Sequence, residues 1–295
     1  MSNTCLPPPR PRIPAWIRTR PAGGDRYLQL RAARQGFKLH TVCEEAKCPN
    51  IGECWSHGTA TFMLMGDTCT RRCNFCSVRK GQPDPLDPAE PAGIAEVIAA
   101  MKLDYAVLTS VNRDDLPDQG ADHIAATIEA IHQRLPACNI EMLIPDFRGV
   151  ADCVQRVVVT PLRVLAHNLE TVPRLYRQVR PGAVYEQSLC VLKMAKEFRP
   201  GILTKSGLML GLGETRAELL QVFTDLRRQG CDILTLGQYL QPSPAQLPVQ
   251  AFVTPREFDE LRHAALPFGF RHVESGPVVR TSYHAWQHVA AVEHQ

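Results

Sequence analysis

The chain has 295 residues, 44% of them hydrophobic and 21% charged, with a formal net charge of +3 at pH 7. That is enough length for a sizeable core and the composition of an ordinary globular enzyme, not of a disordered or fibrous chain. No apolar run approaches the ~18 residues of a membrane span, which excludes a membrane-embedded protein of the helical kind.

The first 22 residues hold Pro7, Pro8, Pro9, Pro11, Pro14 and Pro21, which predicts an extended arm. Residues 1–40 carry eight basic side chains (Arg10, Arg12, Arg18, Arg20, Arg26, Arg31, Arg34, Lys38) against one acid, Asp25. Such an arm is either simply solvated or steers an acidic macromolecule. Aromatic interleaving is thin (Trp16, Tyr27, Phe37), so nucleic acid is not expected as a partner. There is no apolar h-region, and eleven cysteines, an odd number, fit a reducing compartment, so a cytoplasmic location is expected. Tyr27 to Gly36 reads as a short helix.

Six cysteines then fall in two triplets. Cys43, Cys48 and Cys54 have the spacing C-x4-C-x5-C within a segment broken by Pro49, Asn50 and Gly52, which reads as loop. Cys69, Cys73 and Cys76 have the spacing C-x3-C-x2-C and follow the buried-strand pattern Thr61–Met65. Thiolates bunched in triplets suit iron–sulfur clusters, each one ligand short of a full set, so an iron is left open to a substrate or a weaker ligand. A zinc knuckle, or one complete cluster drawing on both triplets, is the structural alternative. The other cysteines are solitary: Cys138, Cys153, Cys190 and Cys231 read as small buried hydrophobes.

From residue 60 the chain alternates strand and helix patterns. Strands are expected at Thr61–Met65, Tyr105–Ser110, Ile140–Ile144, Arg163–His167, Ser206–Leu212 and Ile233–Tyr239. Helices are expected at Ala92–Met101, Ala121–Arg134, Gly149–Val157, Val184–Phe198, Thr215–Gln229 and Pro255–Leu266. Six such alternations predict an α/β fold with a parallel sheet and right-handed crossovers, with its chemistry at the C-terminal ends of the strands. Polar residues stand there: Ser110 to Asp114, His167 to Glu170, Gly211 to Glu214 and Gln238 to Gln241. Periodicity leaves open whether the sheet closes. Arg113, Asp114 and Asp115 read equally as a solvated turn.

The C-T-R-R-C-N-F-C loop (Cys69–Cys76), with an aromatic before its last cysteine, resembles the signature of the radical S-adenosylmethionine enzymes. Nearly the whole chain, from Trp16 to Ala285, is similar to one family within them, lipoyl synthase. The phrases that carry the similarity are T-V-C-E-E-A-K-C-P-N-I-G-E-C-W (Thr41–Trp55), L-T-S-V-N-R-D-D-L-P-D (Leu108–Asp118), A-H-N-L-E-T-V-P-R-L-Y (Ala166–Tyr176), T-K-S-G-L-M-L-G-L-G-E-T (Thr204–Thr215), G-Q-Y-L-Q-P-S (Gly237–Ser243) and R-T-S-Y-H-A (Arg280–Ala285). The first triplet paired with R-x-S-Y is the specific part. Asn112 stands where the family usually has Asp, Gln119-Gly120 where it has Gly-Gly, and Thr281 where it commonly has Ser.

The resemblance implies a partial (β/α)6 barrel at 59–268, an N-terminal extension (1–58) bearing the auxiliary-cluster cysteines, and a C-terminal extension (269–295) closing over that cluster. It implies two [4Fe-4S] clusters: Cys69, Cys73 and Cys76 hold the catalytic one, which cleaves S-adenosylmethionine, while Cys43, Cys48, Cys54 and Ser282 hold the auxiliary one. Asn168 and Glu170 match positions that hold S-adenosylmethionine, Thr109 and Ser110 line the same cleft, and Leu240 packs on the adenine. Gly211-Leu212-Gly213 is expected to let backbone approach that ring. The implied reaction inserts sulfur, taken from the auxiliary cluster, at carbons 6 and 8 of an octanoyl-lysine on a lipoyl domain of a 2-oxo acid dehydrogenase or on the glycine cleavage H protein. Electrons would come from a flavodoxin or ferredoxin, and the enzyme would act as a monomer. A biotin-synthase-like enzyme acting on a free small molecule is the nearest rival, and a zinc-stapled binding module the rival from another class.

Overall fold

In the computed structural model, residues 12–17, 50–56 and 61–293 are described. Cys43, Cys48 and the expected helix at Tyr27–Gly36 lie outside the described residues, as does most of the basic arm.

The described chain starts its regular structure with a short helix α1 (Ile51–Ser56) and strand β1 (Thr61–Leu64). Two-residue strands β2 (Thr68–Cys69) and β3 (Arg79–Lys80) bracket the cysteine loop. Then follow α2 (Glu90–Ala100), β4 (Tyr105–Ser110), α3 (Ala121–Arg134), β5 (Asn139–Leu143), α4 (Ala151–Val158) and β6 (Val164–Ala166). After a single turn α5 (Tyr176–Val179) come α6 (Tyr185–Phe198), β7 (Leu203–Leu210), α7 (Arg216–Arg228), β8 (Ile233–Gln238), α8 (Pro255–Ala265), β9 (His272–Gly276) and α9 (Ala285–Glu293). The main sheet is parallel throughout, in the order β1-β4-β5-β6-β7-β8-β9, with β1 and β9 as its edges.

The six expected strand–helix units are all present, and a seventh strand and a terminal helix extend them. β9 escapes a hydrophobicity reading because His272-Val273-Glu274-Ser275-Gly276 offers one apolar residue facing the helix layer, where Val273 packs. Two helix starts show how local sequence sets these boundaries. Thr215 and Thr254 cap α7 and α8 with full capping boxes closed by Glu218 and Glu257, each worth about 1 kcal/mol at such a cap. Pro255 in the first turn of α8 lacks only a donor that would go unused there.

Strand residues point alternately to two faces. On β4, Ala106 and Leu108 belong to the large core shared with the helices. Tyr105 and Val107 face the other way, into a separate cluster with Val164, Leu203 and Ile233 and with Ala285, Val289 and Val292 of α9. Helix α9 therefore packs on the inner face, at the end where the strands begin. Both faces are covered, which is why the strands read as near-continuous apolar runs. Just above this cluster Lys205 Nζ donates to Glu141 Oε1 at 2.8 Å, and Tyr105 donates to the other carboxylate oxygen at 2.8 Å, all three side chains being buried. No described helix is long and apolar enough to cross a membrane.

Candidate active site

The cysteine loop leaves β1 through Met65 and Gly66, both with positive φ (66° and 86°). A left-handed methionine is unusual, and the Glu90 carboxylate holds it by accepting the Met65 amide at 2.9 Å while lying 2.6 Å from His123 Nε2. The β2–β3 pair closes the loop at its base, and the Gly81 amide donates to the Cys69 carbonyl. Asn74 is tied to Val179, and Gln246 Nε2 donates to the Cys76 carbonyl at 3.3 Å. The amides of Arg71 and Asn112 point at Cys69 Sγ from 3.4 and 3.3 Å. Because the Asn112 contact is made by backbone, the exchange of Asp for Asn there leaves it intact.

Cys69, Cys73 and Cys76 are free thiols that line one cleft of about 390 Å³ at the C-terminal ends of the strands, within the range of small-molecule sites. Burial pushes the Cys73 thiol up, against an opposing pull from Arg180, and pushes Cys76 to about 11. Thr109, Ser110, Asn168, Glu170, Leu240 and Ser282 line the same cleft, so of the expected residues among those described only Cys54 and the Gly211-Leu212-Gly213 turn stand outside it. Thr109 donates to the Leu143 carbonyl at 3.3 Å, while the Ser110 hydroxyl is buried without a partner. Glu170 has a left-handed backbone (φ 67°). Its amide donates to Gly207 and its carbonyl accepts from Met209, which fixes its carboxylate at the cleft. Burial raises that carboxyl's pKa, while Arg180 and the Asn168 amide, donating at 3.1 Å, oppose the rise.

Several cleft residues carry no sequence signal. Arg71, inside the cysteine loop, bridges Asp114 at 2.8 Å and Asp146 at 2.7 Å in near-complete burial. Burial works against both carboxylates, yet hydrogen bonds from Arg71 hold them below the ordinary range. Arg113 is also buried and paired with Asp115. The turn at Arg113–Asp115, which reads equally as solvated in sequence, thus sets a buried Arg113 and a mostly covered Asp114 beside an exposed Asp115. Arg180, buried, donates to the Asn168 carbonyl and the Tyr176 hydroxyl at 2.9 Å. Thr281 accepts from Asn168 Nδ2 at 2.9 Å across 113 residues. Charge alone marks the arginines in sequence, and surface arginines look the same.

Two expectations are corrected. The Gly211-Leu212-Gly213 turn does not line the cleft: Glu214 accepts from the Gly211 and Leu212 amides, and a side chain at Gly211 would collide with the Ala251 carbonyl and the Gln238 amide. Its glycines serve local packing. Cys138, Cys153 and Cys231 are buried as expected, but Cys190 is exposed, because α6 turns that position to solvent.

At the rim, α1 meets the segment leading into α9. Asn50 Nδ2 donates to the Val278 carbonyl at 2.6 Å, and Glu53 accepts from the Tyr283 hydroxyl at 3.3 Å, with His284 Nε2 at 3.6 Å. These contacts hold Cys54 near Tyr283, the chain neighbour of Ser282.

A parallel β/α sheet with a C-x3-C-x2-C loop across the C-terminal ends of its strands defines the radical S-adenosylmethionine class. The radical SAM superfamily model matches residues 63–226, and the model of the N-terminal domain of lipoyl synthase matches residues 6–48. Lipoyl synthase of Chloroflexus aurantiacus is 53% identical over 285 residues, covering 97% of this chain and 93% of that one. That of Laribacter hongkongensis is 55% identical over 282 residues, covering 95% and 90%. Among solved structures, methylornithine synthase aligns with a TM-score of 0.56 at 13% identity, covering 83% of this chain and 70% of its own, which speaks for the fold alone. The chain belongs to the lipoyl synthase family, sulfur-inserting enzymes of the radical S-adenosylmethionine superfamily. Membership implies a four-iron cluster, S-adenosylmethionine and a lipoyl-domain substrate.

The cysteine loop fits such a cluster. Its three thiols share one cleft that no fourth cysteine lines among the described residues, and two amides already point at Cys69 Sγ, as N–H donors do around cluster sulfurs.

Proposed function

We propose that the chain converts an octanoyl group, amide-linked to a lysine of a lipoyl domain, into lipoyl by placing sulfur at carbons 6 and 8. Those carbons have no acidic or electrophilic handle, so the chemistry must come from a cofactor: when bound, the four-iron cluster and S-adenosylmethionine supply hydrogen-atom abstraction. Cys69, Cys73 and Cys76 hold that cluster. Glu170, an acceptor when ionised, takes hydrogen bonds from ribose hydroxyls, and Asn168 orients it. Thr109 and Ser110 line the wall, the unpartnered Ser110 hydroxyl being free to meet ligand. Leu240 supplies an apolar face for the adenine.

The sulfur is a substrate, carried by an auxiliary four-iron cluster on Cys43, Cys48, Cys54 and Ser282. The observation that supports this reading is the docking of α1 on the Val278–His284 segment, which sets Cys54 near Tyr283, the chain neighbour of the cleft-lining Ser282. A serine oxygen holds iron less tightly than thiolate, which suits a cluster that must give up sulfide. On this reading residues 1–58 carry the auxiliary-cluster cysteines and 269–295 supply Ser282, flanking the body 59–268. We take the enzyme to be a cytoplasmic monomer reduced by a flavodoxin or ferredoxin.

An anaerobic single turnover tests the reading. Protein with about eight irons per chain, as two four-iron clusters require, should put sulfur into an octanoylated lipoyl domain and leave free octanoate untouched. Turnover of free octanoate would favour the small-molecule rival, and a colourless zinc protein the binding module. Cys48→Ala should still form some 5′-deoxyadenosine but no sulfur product. Ser282→Cys should keep its iron yet insert sulfur more slowly. Full activity in Ser282→Ala with both clusters intact would remove Ser282 from the site.

A further inference from the structure

At the closed end of the inner face, away from the radical cysteines, β9 and α9 bring three donors together. His272 Nε2 lies 3.2 Å from Glu274 Oε2, and His288 Nε2 lies 3.7 Å from the same oxygen. Ligand atoms of all three fall within 4.8 Å of one another. The His288 side chain is wholly buried, yet neither of its ring nitrogens has a hydrogen-bond partner. A buried imidazole with both nitrogens unbonded is costly, and its cause should be a ligand that the site is shaped to accept.

We propose that His272, Glu274 and His288 form a binding site for one divalent transition-metal ion, with zinc the best match to the donor set. Two imidazoles and one carboxylate are a common three-ligand zinc set, completed by water. Zinc bonds of that kind put neighbouring donor atoms about 3.4 Å apart, close to the two separations found here. The ring centroids of His272 and His288 are 4.7 Å apart and tilted by 30°, so a small turn of either ring brings both nitrogens onto one ion. Lys205 brings positive charge toward the site, but Glu141 pairs with it, which leaves the Glu274 charge to the metal. His272 and Glu274 are 21% and 25% exposed, so the ion has an entrance on the β9 side.

Such an ion would bolt α9 to the sheet edge and so anchor both ends of the segment 277–284, which carries Thr281 and Ser282. The site shares no residue with either cysteine triplet and does not depend on the proposed reaction. Anaerobic holoenzyme dialysed against micromolar zinc chloride should take up one zinc per chain, counted by mass spectrometry beside unchanged iron, and its Tm should rise with zinc concentration. His272→Gln, whose side chain is partly exposed, should fold normally, lose zinc affinity by at least about tenfold, and no longer show the zinc-dependent rise in Tm. His288→Gln should behave alike; if it fails to fold, Glu274→Gln replaces it. Zinc uptake equal in the wild type and these variants, or no stoichiometric zinc in the wild type, would overturn the proposal.

Discussion

Where its strands begin, the inner face of the sheet is filled; where they finish, it is open. Up β7 the inward residues run Leu203, Lys205, Gly207, Met209, and up β8 they run Ile233, Thr235, Gly237. The lower ones pack under α9 or pair with Glu141, and the upper ones line the cleft. The change is one of volume. A side chain at Gly207 would lie 2.8 Å from Thr235 Oγ1 and 2.9 Å from Asn168 Oδ1, and one at Gly237 would strike the Val279 carbonyl. The open end trades packing for room and hydrogen-bonding groups, and the closed end does the reverse. Stability should therefore reside below and activity above, a division that mutations can break.

The largest expected effect lies at the open end. Cys73→Ala should abolish formation of 5′-deoxyadenosine, since two thiolates cannot present a four-iron cluster to its co-substrate. The Tm of the metal-free protein should stay nearly unchanged, because Cys73 is only half-buried and its thiol joins no core. A large fall in Tm would show that the cysteine loop also holds the fold together.

At the closed end the balance reverses. Lys205→Met leaves Glu141 buried with only Tyr105 as donor, and losing one partner of a buried pair costs about 3–5 kcal/mol. Denaturant unfolding should show that loss, and the double variant Lys205→Met/Glu141→Leu should recover most of it. If the single variant were as stable as wild type, the ion pair would not be what secures the floor.

Much of this division was legible in the sequence. The helix Ala121–Arg134 and the strand Tyr105–Ser110 match their expected bounds residue for residue, because a 3.6-residue apolar stripe and a six-residue apolar run are local signals. The cysteine spacing announced the open end. The closed end stayed hidden: β9 shows histidine and glutamate on its inward side, and nothing in the sequence of α9 says that its valines pack inside the sheet. Gln119 is another case. It takes φ 54° beside Gly120 at 85°, where the family has two glycines, and its buried amide donates to the Phe147 carbonyl at 3.0 Å, compensating the left-handed backbone. That partner is 28 residues away, and no pattern links them.

Between the two ends sits His167, buried, with Nδ1 2.9 Å from the Ile144 carbonyl. Burial lowers its pKa from the ordinary 6.5 to about 4. Between those values the unfolded chain binds the extra proton and the native protein does not. The stability contribution is thus complete above pH 6.5 and is lost as pH falls toward 4, by about 3 kcal/mol in all and about 2 kcal/mol by pH 5. Lowered by burial in the same sense, His288 adds to the slope. His167→Gln should lose less stability than wild type between pH 7 and pH 5, measured by urea unfolding. Equal losses would mean that His167 is protonated in the folded state.

The smallest effect should come where the C-terminal segment touches the cleft. Thr281 stands where the family commonly has serine, and its hydroxyl is within hydrogen-bonding reach of both amide atoms of Asn168, accepting from Nδ2 at 2.9 Å with Oδ1 at 3.2 Å. Asn168 in turn donates to the Glu170 carboxylate at 3.1 Å, so Thr281 settles which way the amide faces and, through it, the carboxylate. Serine presents the same hydroxyl, and Thr281→Ser should be nearly silent. Valine keeps the shape and removes the partner, leaving a buried amide short of a bond at about 1–2 kcal/mol. Thr281→Val should therefore weaken S-adenosylmethionine binding about tenfold while the iron content holds and Tm falls by only a few degrees. If both variants bound it like wild type, the link from the C-terminal segment to Glu170 would be packing alone, and the two ends of the inner face would be less separate than their side chains suggest.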